Sequence, residues 1–208
     1  MSLQAAPIRP FVPGSTGWTV DDLRDPHIAP LWEAGHYEIV EGVLTVMPPA
    51  YFDASHAVGR LVRVVEQHLE RTGTPGEFSY EVDLVISPQR VARVDVVFTT
   101  PQDLTRQREV NAESGEPELT YGRLLVPPTL IVECVSKGHE RHDRVTKRRW
   151  YEEFGVPNYW VFDAYQRRLE CLMMRSGRYE VDVVGQGDDE LRPQLFGGLI
   201  LPLARLWA

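Results

Sequence analysis

Apolar residues recur along this chain with two different periods, and the switches between them mark out its elements. From Asp53 to Arg71, Ala57, Leu61, Val64, Val65 and Leu69 return at helical spacing while Arg60, Arg63, Glu66, Gln67 and Glu70 take the other side. That pattern predicts an amphipathic helix laid on a sheet. The runs EFSYEVDLVIS and RVARVDVVFTT are rich in Val, Ile and Phe and are parted by a Pro-containing turn, which predicts two strands. TLIVECVS is an almost unbroken apolar run and reads as a strand covered on both faces.

Punctuation residues place the remaining elements. Residues 1–18, rich in Pro, Gly and Ser, are expected to form a flexible arm, with a single domain over 19–208. Thr19 with Asp22 forms a capping-box pattern, predicting a short helix that is interrupted near Pro26 and resumes through Leu31 and Trp32. In HYEIVEGVLTVMPP, Glu41-Gly42 separates two β-prone runs, as in a hairpin. Residues 101–128 are mostly polar and Pro-bounded and are expected to be a long loop. A helix is predicted over Glu140–Phe154, ended by Gly155 and Pro157, and YWVFDAYQRRLECLMM supplies a further pair of strands. The order helix, hairpin, helix, two strands, strand, helix, strands predicts an α/β fold, a mixed central sheet flanked by helices.

Composition narrows the setting. The 208 residues are 43% hydrophobic and 25% charged, which is globular. Cys134 and Cys171 both sit in apolar runs, where reduced, buried thiols are expected. No apolar stretch approaches the roughly 18 residues that a bilayer requires, and the N-terminus lacks a charged segment followed by an apolar one. A cytoplasmic protein with no membrane partner is the expectation. The net charge of −8 opposes broad contact with nucleic acid. It conceals a basic segment, however, with Lys137, Arg141, Arg144, Lys147, Arg148 and Arg149 against Glu140 and Asp143. That segment is either a polyanion contact, through Lys137, Arg141, Arg144 and Arg148, or a solvated helix face.

Two carboxylates stand where burial should exclude them. Asp95 interrupts RVARVDVVF and Glu133 interrupts TLIVECV, and an unpaired buried carboxylate costs several kcal/mol unless it is protonated, paired or metal-bound. A hard divalent cation would compensate both. Asp95 has the alternative of an ion pair with Arg93, whereas no simple structural role for Glu133 is visible. Asp143, Lys147 and Tyr151 are spaced by four and share a helix face. Lys147 there either steers an attacking water and neutralises phosphate charge, or is a solvated lysine paired with Asp143. His139, His142 and Cys134 lack the paired spacing of a zinc site. The aromatic residues Trp150, Tyr151, Phe154, Tyr159 and Trp160 read as core.

The passages YEIVEGVL, SHAVGRLVRVVEQHL, RVDVVF, LIVECVS, DRVTKRRWYEEFGVPNYWVFD and LFGGLILPLARLW together cover most of the chain. They resemble the bacterial restriction-endonuclease-like family long catalogued as a domain of unknown function, within the PD-(D/E)xK nuclease superfamily. The resemblance implies a Mg²⁺- or Mn²⁺-dependent endonuclease that hydrolyses phosphodiester bonds in DNA, with Asp95 and Glu133 as metal ligands. It also implies roles near the metal or substrate for Glu41 and His56, and a homodimer would let such a protein cut both strands. The proline expected before the first acid is Val94, and the lysine expected two residues after the second is Val135. The resemblance places the substitute lysine on the next helix, at Lys147, with Lys137 as a second candidate. The displaced lysine leaves open an alternative, a catalytically silent nuclease-fold module that binds nucleic acid or a protein partner.

Overall fold

A computed structural model describes residues 10–48, 52–114 and 123–207. Part of the expected arm, residues 1–9, and part of the expected loop, residues 115–122, lie outside the described residues. The chain divides into two compact units, one of residues 1–49 with Val85–Arg93 and one of residues 50–84 with Val94–Ala208.

In the first unit the Thr19 amide donates to Asp22 Oδ2 at 2.7 Å, capping a 3₁₀ turn over Val20–Arg24. Helix α1 follows at Ala29–Glu33, as the interrupted-helix pattern predicts. Strands β1 (Tyr37–Val40) and β2 (Val43–Val46) form the predicted hairpin, with Val40 opposite Val43. Its two-residue turn has φ of 51° at Glu41 and 76° at Gly42, the double positive φ of a turn matched to strand twist, which Gly42 adopts at no steric cost. Residues 10–18, expected to be loose, are tied down here. Gly14 donates to Leu44 O, Leu44 to Ser15 O, and Trp18 is fully buried among Leu23, Trp32, Ile39, Leu44 and Val91.

The second unit carries the longer elements. Helix α2 runs Phe52–Thr72, and strands β3 (Glu77–Ser87) and β4 (Arg90–Thr99) pass through both units. Next come helix α3 (Pro101–Ser114), β5 (Leu130–Cys134), a π-helical turn over His142–Lys147 and helix α4 (Arg148–Phe154). Strands β6 (Asn158–Asp163), β7 (Arg168–Arg175) and β8 (Arg178–Gln186) complete the main sheet, while β9 (Glu190–Leu191) and β10 (Leu201–Pro202) pair separately. The main sheet is mixed, with eight strands ordered β2-β1-β4-β5-β6-β7-β8 and β3 paired to β4. Within it β5 and β6 run parallel, and β4–β5, β6–β7 and β7–β8 run antiparallel. The α/β class with a helix-flanked mixed sheet is thus the observed one. Among the described residues, no helix is long and apolar enough to cross a membrane.

The apolar face of α2, from Ala57 to Leu69, packs on Val96, Phe98, Leu130, Val132, Trp160 and Phe162. These strand residues sit at alternating positions, so the residues between them, Ile131 and Glu133 on β5, point to the opposite face.

Two further expectations need correction. Residues 101–114 are helical rather than loop, because Thr100, Pro101 and Asp103 make a start signal: Asp103 Oδ2 accepts the Thr100 amide at 2.9 Å and the Thr100 hydroxyl accepts the Asp103 amide. The helix predicted over Glu140–Phe154 is also not uniform. Its first part opens into the π-helical turn, and Gly155 at φ 89° ends the α-helical part as expected.

Candidate active site

Asp95 and Glu133 come from neighbouring antiparallel strands. The β4–β5 ladder pairs Val97 with Ile131 and ends at Val96 with Val132, and the same register carried one step further would set Asp95 across from Glu133. Directly opposed side chains stand about 5 Å apart on one face of a sheet. At this point the ladder gives way to side-chain bonding, since Asp95 Oδ2 accepts the backbone amide of Cys134 at 2.6 Å. The alternative partner, Arg93, donates its guanidinium to Gly35 O and lies over the Trp32 ring.

Glu133 is 1% exposed. Its Oε1 accepts from Lys147 Nζ at 3.0 Å and from the Tyr151 hydroxyl at 2.5 Å. Lys147 is buried as well, so it is not the solvated helix lysine that its spacing from Asp143 allowed. Its Nζ stands 4.0 Å from Asp143 Oδ1, while Asp143 Oδ2 accepts the Ser136 amide at 3.0 Å. The helix widens over His142–Lys147 and still keeps Asp143 and Lys147 on one face, and such π turns recur at functional sites. Lys147 closes that turn and Tyr151 follows one α-helical turn later, both aimed at Glu133.

Negative charge dominates the surroundings. Burial pushes the Cys134 thiol well above its usual range, with the charges of Asp95 and Glu133 adding to the effect. Burial likewise holds the Asp143 carboxyl above the carboxylate range, opposed by the Lys147 ammonium. The Tyr159 hydroxyl, raised by burial and then by Glu133, donates to Asp143 O at 2.8 Å. Cys134 and Cys171 are both free thiols.

A cavity of about 250 Å³ opens beside Asp95 and is lined also by Ser55, Val58, Tyr80, Glu81 and Cys134. Glu81 and Tyr151 were not among the sequence candidates. Glu81 has φ 52° inside strand β3, a left-handed conformation that costs a non-glycine residue roughly 1–2 kcal/mol. The sequence does not announce it, since Phe78, Tyr80, Val82 and Leu84 alternate with Ser79, Glu81 and Asp83 as in a regular strand, whereas in the structure Ser79, Tyr80 and Glu81 are exposed in succession. Tyr151 was read as core, which it is by burial, but its hydroxyl belongs to the site.

The remaining candidates have other partners. His56 lines a different cavity, of about 410 Å³, with Asp53, Arg60, Arg167 and Trp207. Glu41, in the other unit, pairs with Arg90 at 2.9 Å across the hairpin turn. In the basic segment, Lys137 and Arg141 are exposed, Arg144 is held by Asp163 at 2.7 Å, and Arg148 donates to Tyr179 O at 3.1 Å.

Whether this donor set suits a metal follows from its chemistry. Among the described residues no three His, Cys, Asp or Glu side chains converge as an all-protein cage. Two carboxylates from adjacent strands are hard oxygen donors, however, and Mg²⁺ is commonly held by one or two carboxylates, with water and phosphate oxygens filling its octahedron. Asp95 and Glu133 fit that kind of site.

Over residues 28–204 the chain matches the family model Uma2, described as "Putative restriction endonuclease". No curated protein matches it. Among solved structures it is similar to "a putative nuclease belonging to DUF820" from Anabaena variabilis, with a TM-score of 0.61, 14% identity, and 82% of this chain and 89% of that one covered. Identity that low speaks to the shared fold alone. The family match takes in α2, both strand carboxylates and the Lys147 helix, and on that extent the chain belongs to the Uma2 family.

Proposed function

We propose that the chain is a Mg²⁺- or Mn²⁺-dependent endonuclease that hydrolyses phosphodiester bonds in DNA, with Asp95 and Glu133 as metal ligands. One observation carries the reading: Glu133, buried in mid-strand, is held by Lys147 at 3.0 Å, one strand away from Asp95. When bound, the metal would act as a Lewis acid on the phosphate and lower the pKa of water. Asp95 and Glu133 supply the oxygen donors, and the Cys134 amide fixes the orientation of Asp95. Tyr151 orients Glu133 from behind. Lys147 is placed to neutralise charge that builds on the phosphate and to hold the attacking water. Glu81, in the cavity beside Asp95, offers a further acceptor for water.

In this reading the protein works in the reducing cytoplasm, where its two thiols stay free, and two copies would be needed to cut both strands of a duplex. Arg144 and Arg148 have structural partners and the exposed Arg149 pairs with Glu153, which leaves Lys137 and Arg141 as the exposed cations of the basic segment for DNA.

One observation favours the second reading, a catalytically silent module. One of the two Glu133 oxygens, Oε1, is already engaged by both Lys147 and Tyr151. The test is incubation with plasmid and single-stranded DNA in Mg²⁺ or Mn²⁺, alongside calorimetry with Mn²⁺. Cleavage and Mn²⁺ binding that Asp95→Asn and Glu133→Gln both abolish, with folding intact, supports the nuclease. Cleavage that persists in both variants overturns the assignment, and absence of Mn²⁺ binding favours the silent module.

A further inference from the structure

The first two turns of α2 separate two cavities. At 100° per residue, Asp53, His56, Ala57 and Arg60 share one side of the helix, and Ser55 and Val58 take the other. The second pair lines the cavity beside Asp95, and the first group lines the 410 Å³ cavity with Ala164, Arg167, Leu206 and Trp207. The partition is one helix thick, about 10–12 Å. A strand lying against Asp95 therefore reaches the second cavity within a few nucleotides.

The lining has a definite chemistry. Arg60 is anchored, its Nη1 donating to Leu206 O at 3.1 Å. Arg167 projects from the β6–β7 turn, and its guanidinium has no ion pair or hydrogen bond among the described residues. Trp207 is fixed by its Nε1 bond to Gly187 O at 2.7 Å and stacks on Phe162, with ring centroids 5.1 Å apart and planes 26° apart. Trp207 also lines the cavity. Two guanidinium groups against one carboxylate favour an anion, and Arg is suited to phosphate by its forked donors. The indole favours a planar ring. Asp53 suits a sugar hydroxyl or base amino group better than a second phosphate.

We propose that this cavity is a nucleotide subsite, in which Arg167 and Arg60 hold a phosphate and Trp207 stacks a base of the DNA strand engaged at Asp95. The identity of the strand rests on the nuclease reading, whereas the binding chemistry does not. Its volume lies within the roughly 300–1,000 Å³ range of small-molecule sites.

Calorimetry on the full chain with deoxythymidine 5′-monophosphate, inorganic phosphate and thymidine as separate probes tests it. The variants are Arg167→Asn, which the φ of 48° at that position accommodates, Trp207→Leu and Glu133→Gln. The nucleotide should bind the wild type and Glu133→Gln alike, and Arg167→Asn should weaken it about tenfold. Trp207→Leu should erase the preference for the nucleotide over inorganic phosphate. If cleavage occurs, Arg167→Asn should raise KM for an oligonucleotide and leave kcat unchanged. Nucleotide binding that is indifferent to Arg167, or absent in the wild type, overturns the subsite even where DNA is cut. Binding that depends on Arg167 in a protein that never cuts DNA supports the subsite and removes the nuclease reading.

Discussion

Lys147 Nζ lies 3.0 Å from Glu133 Oε1 with both side chains buried, so each ion is the other's principal compensation for leaving water. Taking one charge from such a pair strands the other, at a cost of about 3–5 kcal/mol. Lys147→Met should therefore destabilise the protein by that amount. The double variant Glu133→Gln/Lys147→Met, which leaves no stranded charge at position 133, should recover part of the loss. Urea unfolding with unchanged m-values measures both. A single variant within about 0.5 kcal/mol of wild type, the range of ordinary surface substitutions, would show that the pair does not hold this site together.

Tyr151→Phe removes the second donor to Glu133 Oε1 and leaves the packing intact. Hydrogen bonds to charged groups contribute about 1.5–3 kcal/mol, and a loss in that range is expected in urea unfolding. If Glu133 ligates metal, loss of its orienting partner should also weaken Mn²⁺ binding about tenfold or more by calorimetry. A variant with full stability and full Mn²⁺ affinity would make the hydroxyl incidental.

Helix α3 offers a test away from the site. Its buried stripe is polar: Asp103, Gln107 and Asn111 recur every four residues, and all three are buried. Gln107 Oε1 accepts the amides of Leu125 and Val126, its Nε2 donates to Arg123 O and Asn111, and Asp103 Oδ2 accepts from Thr129. Gln107→Leu leaves those backbone groups unpaired at about 1–3 kcal/mol. Amide exchange at Leu125 and Val126 should accelerate, while exchange in α2 follows the global stability alone.

That stripe also explains where sequence reasoning stopped short. Helices are found by the return of apolar residues, and α3 returns Asp, Gln and Asn toward a segment of backbone that needs hydrogen-bond partners. Only the capping signal of Thr100 and Asp103 announces it. The α2 helix, the Glu41-Gly42 hairpin and the buried strands were legible because their apolar periods are regular. Glu133 was legible for the converse reason, as a carboxylate inside an apolar strand. Lys147 was recognisable as part of the site only through family resemblance, since the four-residue spacing that correctly groups it with Asp143 and Tyr151 suits a solvated lysine equally well. Tyr151 was hidden by being core and site at once, and Glu81 by a strand irregularity that leaves little trace in composition.

The position of Asp143 makes a prediction about pH. Burial holds its carboxyl above the usual carboxylate range, with Lys147 opposing, so the folded protein retains a proton that the unfolded chain gives up. A group raised in this way contributes stability that is present below its unfolded value and lost as pH rises through its folded one. Asp143→Asn keeps an oxygen to accept the Ser136 amide and has no proton to lose. The unfolding free energy of wild type minus that of Asp143→Asn should therefore fall as pH is raised from about 4, the unperturbed carboxylate value, and level off once the folded carboxyl is ionised. Urea unfolding of both proteins across that interval supplies the measurement. A difference that rises with pH would mean that Lys147 and the Ser136 amide outweigh burial, and that Asp143 is a stabilised anion rather than a strained one.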